Sequence, residues 1–161
     1  MSGIIKVGIA DLKIAKGGST LITIGLGSCV GICIYDPVAK IGGLAHIMLP
    51  DSNSSERGKQ KLLMYADTAI PVLVERMLEA GASRERLVTK IAGGATMFSS
   101  FGKKKSTNIG EQNVTAVKKA LHALNLKIAS EDTGKNFSRT VEFYIETGTV
   151  LVRTGHGEMR L

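Results

Sequence analysis

Two cysteines and three histidines are all that this 161-residue chain offers for thiol or imidazole chemistry. Cys29 and Cys33 stand four positions apart in one strand-like run, a separation of roughly 13 Å at about 3.3 Å per residue, which is too far for a disulfide. His46 lies inside the apolar run 41–49 and shares a strand face with Leu44 and Met48, where a buried imidazole must find partners for its nitrogens. His122 borders the buried stripe of a helix, and His156 sits between two glycines near the end of the chain, so both read as surface residues. Asp36 and Pro37 open a turn, and pairing Tyr35 with Ile41 across it brings Cys29 within one residue of His46; a one-residue bulge would set the two directly opposite. A thiol beside an imidazole base meets the requirement for a cysteine nucleophile. The approach Gly25-Leu26-Gly27-Ser28 adds backbone N–H groups, those around Gly27 and Ser28, able to face an oxyanion. The same spacing is equally that of a packed cysteine beside a hydrogen-bonded core histidine, and Cys33, deeper in the run, reads as a small buried hydrophobe.

Other chemistries find less support. No Cys-x-x-Cys pair or His-Glu-x-x-His arrangement is present to hold zinc, and the glycines at 25 and 27 lack the lysine and spacing of a phosphate loop. The run 97–107 carries Phe98 and Phe101 ahead of Lys103, Lys104 and Lys105. It reads first as a solvated basic loop and next as a contact for an acidic protein surface or other substrate; base stacking with phosphate binding comes last.

Strands must position these residues. Residues 4–9, 21–24, 30–35 and 41–48 are short runs rich in Ile, Val and Leu, bounded by glycine or turn residues. The polar stretch 49–61 reads as a loop. The i, i+3, i+4 rhythm of Ile70, Leu73, Val74, Met77 and Leu78 predicts a helix over 67–80, capped by Asp67, with Pro71 near its first turn and Gly81 as its stop. A strand over 87–91 follows. The second helix, over 108–124, starts at an Asn108 to Glu111 capping box and turns Val114, Val117, Leu121 and Leu124 inward. Residues 126–129 are a strand, and 141–146 with 149–153 form a hairpin around Thr147 and Gly148. The expectation is one α/β domain over 1–161: strands and a hairpin first, two principal helices in the middle, and a closing β-hairpin.

With 43% hydrophobic residues the chain is able to build one core without a metal or a disulfide scaffold, and its net charge of +7 favours a neutral or acidic partner. The first residues lack the uninterrupted apolar region of a signal peptide, no stretch reaches the roughly 18 apolar residues of a membrane span, and two unpaired cysteines suit a reducing compartment. A cytoplasmic protein without membrane insertion is expected.

The segments singled out above also carry a resemblance. Residues 23–29, reading Thr-Ile-Gly-Leu-Gly-Ser-Cys, then Asp36-Pro37, then 43–50, reading Gly-Leu-Ala-His-Ile-Met-Leu-Pro, resemble the signature of the chemoreceptor glutamine deamidases, the CheD family of chemotaxis. Tyr65-Ala66-Asp67, the run 90–95, Asn108-Ile109-Gly110 with Asn113, the run 131–134 and the closing hairpin extend the match over nearly the whole chain. The resemblance implies a layered α/β fold similar to the catalytic domain of deamidating toxins. It implies hydrolysis of glutamine side-chain amides on the helical cytoplasmic region of chemoreceptors, with no cofactor and no metal, and in some members binding to a CheC-type phosphatase. Carried onto this chain, Cys29 is the nucleophile, His46 the base and then the acid, and Thr23 the group that orients the imidazole. The Phe101 to Lys105 insert and Gln112, where many relatives carry arginine, depart from the family pattern at positions bearing on substrate choice and phosphatase binding. Competing readings are a non-catalytic adaptor, another thiol hydrolase such as a receptor methylesterase, and a nucleic-acid-binding domain, of which the last is not expected.

Overall fold

The computed structural model describes residues 3–54, 61–97 and 108–161. Among them ten strands form two five-stranded sheets. The first has the order β1 (Ile4–Lys6), β3 (Thr20–Leu26), β8 (Arg139–Tyr144), β9 (Thr149–Thr154), β10 (Gly157–Arg160); the second has the order β2 (Asp11–Lys16), β5 (Ile41–Ile47), β4 (Val30–Asp36), β6 (Val88–Gly93), β7 (Ile128–Thr133). Helices α1 (Ala66–Glu79) and α2 (Ile109–Ala123) pack on the outer face of the second sheet. The order of layers is therefore sheet, sheet, helices.

Every residue of β4 and β5 is buried, because these central strands have a layer on both sides. Alternation sorts their side chains: Val30, Ile32, Ile34, Ala45 and Ile47 meet α1 and α2, while Cys33, Tyr35 and Leu44 meet the first sheet. Gly42 and Gly43 let both layers close on β5. A Cβ on Gly42 would lie 2.5 Å from Ile145 Cδ1, and one on Gly43 would lie 2.6 Å from Leu73 Cδ1, close approaches that only glycine permits.

The expected architecture is present, with differences at its edges. The run 4–9 ends as a strand at Lys6, and Ala10, at a positive φ of 57°, turns the chain into β2, a strand not foreseen. Asp67 does not cap α1: Tyr65 holds that position without a side-chain bond, and the Asp67 carboxylate accepts from the N–H and hydroxyl of Ser52 instead. Pro71 lies inside α1, beyond its first turn, and Gly81, at φ 115°, follows the helix end. Asn108 caps α2 as expected, its Oδ1 accepting from the N–H of Glu111 at 3.0 Å, while the Glu111 carboxylate accepts from the Asn108 side-chain amide at 3.3 Å. The closing hairpin is followed by β10, also unforeseen, which pairs with β9.

Candidate active site

Thr23 stands in the inner half of β3, and its hydroxyl lies between two partners. It donates to the carbonyl of Val7 at 2.8 Å and lies 2.7 Å from Nδ1 of His46. Val7 is brought there by the parallel pairing of β1 with β3, continued by its own N–H to the carbonyl of Ile22. A hydroxyl has a single hydrogen. With that hydrogen on Val7, the contact with His46 requires Nδ1–H to donate to Thr23, and the imidazole lone pair is then on Nε2. His46 is fully buried, and Nε2 makes no hydrogen bond among the described residues. Burial lowers its pKa to about 4, so the ring is neutral at physiological pH.

The strand pairing offers His46 no polar side chain that is free to bond it. His46 pairs with Gly31 of β4, which presents no side chain, and with Asp11 of β2. The Asp11 carboxylate accepts from Lys13 Nζ and the N–H of Leu12, so the residue that register offers as a carboxylate partner is engaged elsewhere. The hairpin register corrects the sequence expectation by one place. Asp36 pairs with Ile41 and Tyr35 with Gly42, so His46 is opposite Gly31, and Cys29 lies two residues before that point, outside the ladder and with no bulge to bring it into register.

Cys29, half-buried and in no disulfide, ends the segment that joins β3 to β4. The carbonyl of Gly27 accepts from the N–H of Ala95 at 2.9 Å, that of Ser28 from Asn113 Nδ2 at 2.8 Å, and that of Cys29 from the N–H of Gly94 at 2.8 Å. Gly93, at φ 117°, makes this possible, because a Cβ there would lie 2.3 Å from the Cys29 carbonyl oxygen. Burial raises the Cys29 thiol above its ordinary value, partly opposed by its own backbone N–H. Cys33 is buried between the sheets and raised much further by desolvation, as expected of an inert thiol.

Thr23 and His46 are thus in direct contact, with Gly27, Ser28 and Cys29 on the adjoining segment. Phe98, Phe101, Lys103, Lys104 and Lys105 lie outside the described residues. A groove of 760 Å³ between α1 and α2 is lined by Pro50, Asp67, Glu111 and Lys119 among others and contains none of Thr23, Cys29 or His46. Sequence reasoning missed Val7, whose contribution is a carbonyl and leaves no mark in the residue type. It also gave no role to Asn113, although that residue stood among the matching positions. Among the described residues no cluster of His, Cys, Asp or Glu is arranged to hold a metal ion, and no helix is long and apolar enough to cross a membrane.

The model of the family CheD chemotactic sensory transduction matches residues 48–154. The chain belongs to the CheD family. Among its CheD relatives is a probable chemoreceptor glutamine deamidase of Caldanaerobacter subterraneus subsp. tengcongensis, 54% identical and covering 97% of this chain and 96% of its own. A chemoreceptor glutamine deamidase of Thermotoga maritima is 50% identical over 94% of this chain and 93% of its own, and a probable one of Syntrophomonas wolfei is 48% identical over 98% of each. The matched CheD region starts just beyond His46 and takes in α1, α2 and Asn113; the likeness to these relatives spans nearly the whole chain.

Proposed function

We propose that residues 1–161 act as one cytoplasmic deamidase domain that hydrolyses glutamine side-chain amides on the helical cytoplasmic region of chemoreceptors, as the names of its CheD relatives suggest. The observation that carries this reading is the relay from His46 Nδ1–H to Thr23 Oγ1 to the Val7 carbonyl, which leaves a bare, buried Nε2 on the ring. A core histidine with only a packing role would satisfy both nitrogens; a general base needs one of them free.

The chemistry follows from the protonation states. With the thiol raised and the imidazole lowered, the resting pair is neutral, Sγ–H and Nε2. As Cys29 Sγ attacks the side-chain carbonyl carbon of glutamine, Nε2 takes the thiol proton and the carbonyl π pair moves to oxygen. The N–H groups of Cys29 and Ser28 serve the developing oxyanion. Imidazolium in an apolar setting is a strong acid, so Nε2–H passes its proton to the amide nitrogen. The C–N bond breaks, ammonia leaves and a thioester remains. Nε2 then takes a proton from water, the hydroxide oxygen attacks the thioester carbon, the C–S bond breaks, and the proton returns to sulfur with glutamate as product. Throughout, Nδ1–H stays on Thr23, which holds the ring through both protonation states. No step calls on a cofactor. A CheC-type phosphatase is a further partner in this reading.

Peptide mass spectrometry of a chemoreceptor cytoplasmic fragment, after incubation with wild type or Cys29→Ala, tests it. Conversion of defined glutamines to glutamate with matching ammonia release by wild type alone is expected. Equal conversion by Cys29→Ala would remove the thiol mechanism. Binding without conversion by either protein, with the wild-type thiol shown to be reduced and a CheC-type partner tested alongside, would favour the adaptor reading.

A further inference from the structure

We infer that Asn113 is a positioning residue that sets the spacing between Cys29 and His46 from the helical layer. This rests on the reading of those two residues as nucleophile and base. The Asn113 amide is fully buried, and its Nδ2 donates twice, to the carbonyl of Ser28 at 2.8 Å and to the carbonyl of Met48 at 2.9 Å. Ser28 immediately precedes Cys29, and Met48 follows His46 by two residues. The amide group thus ties the segment entering β4 to the segment leaving β5, at the end of the hairpin where Cys29 has already left the ladder and register no longer fixes its distance from His46.

The anchor itself is firm. A Cβ on Gly110, one turn earlier in α2, would lie 2.2 Å from the Ala95 carbonyl oxygen, and one on Gly94 would lie 2.2 Å from Val114 Cγ2. The first turns of α2 are therefore pressed onto the turn 93–95, which in turn holds the carbonyls of Gly27 and Cys29. Asn113 makes these two donor bonds while its own Oδ1 is buried with no hydrogen-bond partner among the described residues. The two carbonyls also fix which end of the amide is nitrogen, since only an N–H₂ can serve both.

The experiment compares Asn113→Asp, Asn113→Ala and Asn113→Ser in the full chain, with Cys29→Ala alongside. Asp keeps the shape but cannot donate to two carbonyls, and Ser has one hydrogen for two acceptors. Deamidation of a chemoreceptor fragment gives kcat and KM, circular dichroism gives the folded fraction, and peptide mass spectrometry gives the rate of Cys29 alkylation by iodoacetamide against pH. Misplacing reacting groups by about 1 Å costs about 100-fold. The expected result is a loss of about 100-fold in kcat for Asp and Ala and a smaller loss for Ser, with KM within about threefold and a shifted alkylation profile. Values of kcat within threefold of wild type for Asp and Ala would overturn the proposal. So would losses that only follow the folded fraction, or unfolding of all three variants, which would assign Asn113 to stability. Wild-type rates in Cys29→Ala would instead refute the underlying reading of the site, whatever the Asn113 variants do.

Discussion

Asp36 and His46 lie at opposite ends of the same hairpin, both fully buried and both able to carry charge, and they are treated in opposite ways. The Asp36 carboxylate accepts from the N–H groups of Val38, Ala39 and Ser83 and from Nε and Nη2 of Arg86, at 2.7–3.1 Å. The Arg86 guanidinium and these N–H groups hold its pKa well below the usual carboxylate range. His46 has one ring nitrogen engaged and the other without a hydrogen bond among the described residues. A buried carboxylate whose lone pairs are all used has no acceptor left to offer, whereas a neutral imidazole with one nitrogen unengaged keeps a lone pair that can take a proton.

The contrast can be broken most directly by His46→Leu. If His46 is the base, kcat falls by about 10²–10⁴-fold, while the thermal midpoint stays level or rises because an unsatisfied nitrogen has been removed; a large drop in stability, measured calorimetrically, would make the histidine structural after all. Asp36→Ala should do the reverse. Stability falls by about 3 kcal/mol in urea unfolding, since several donors lose a buried acceptor, while kcat per folded molecule stays within about twofold.

Acid separates the two groups on one axis. Unfolded histidine titrates near 6.5 and His46 in the folded protein at about 4. Between these values the unfolded chain binds more protons, so stability declines as pH falls from about 6.5 to about 4, by up to about 3 kcal/mol. Asp36 is depressed when folded, so its contribution is full above about pH 4 and is lost as pH drops further. Urea midpoints across pH 3–7 should show both phases, and His46→Leu should remove the upper one alone. The smallest effect expected is that of Thr23→Val, about 10-fold in kcat, the value of one hydrogen bond that selects a tautomer. Thr23→Ser, which keeps the hydroxyl, should restore most of it.

The sequence carried the hairpin plainly, through Asp36-Pro37 between two apolar runs, but not its register. The turn is four residues long because Asp36 Oδ1 gathers the N–H groups of Val38 and Ala39 while Lys40 adopts a φ of 54°, a conformation that a lysine does not advertise. That one residue decides whether His46 faces a cysteine neighbour or Gly31. Cys29 and His46 were legible as candidates because few residue types perform such chemistry, and the run 23–29 drew Thr23 in by resemblance. Val7 and Asn113 were illegible for a different reason. Their roles are a carbonyl and a pair of amide donors meeting partners 16 to 85 positions away, and β2, which helps enclose His46, alternates over only a few residues between charged ones.

The interleaving of the two sheets also orders events during synthesis. Thr23, Cys29 and His46 all emerge within the first third of the chain, yet β3, which holds Thr23, acquires its long antiparallel neighbour only with β8, where Thr23 pairs with Val141. Asn113 likewise arrives on α2 long after the segments it ties together. Such distant pairings make folding slow relative to helical proteins of this size. A nascent chain therefore exposes Cys29 well before His46 is enclosed, and the strand that carries Thr23 is locked in place only after β8 has left the ribosome.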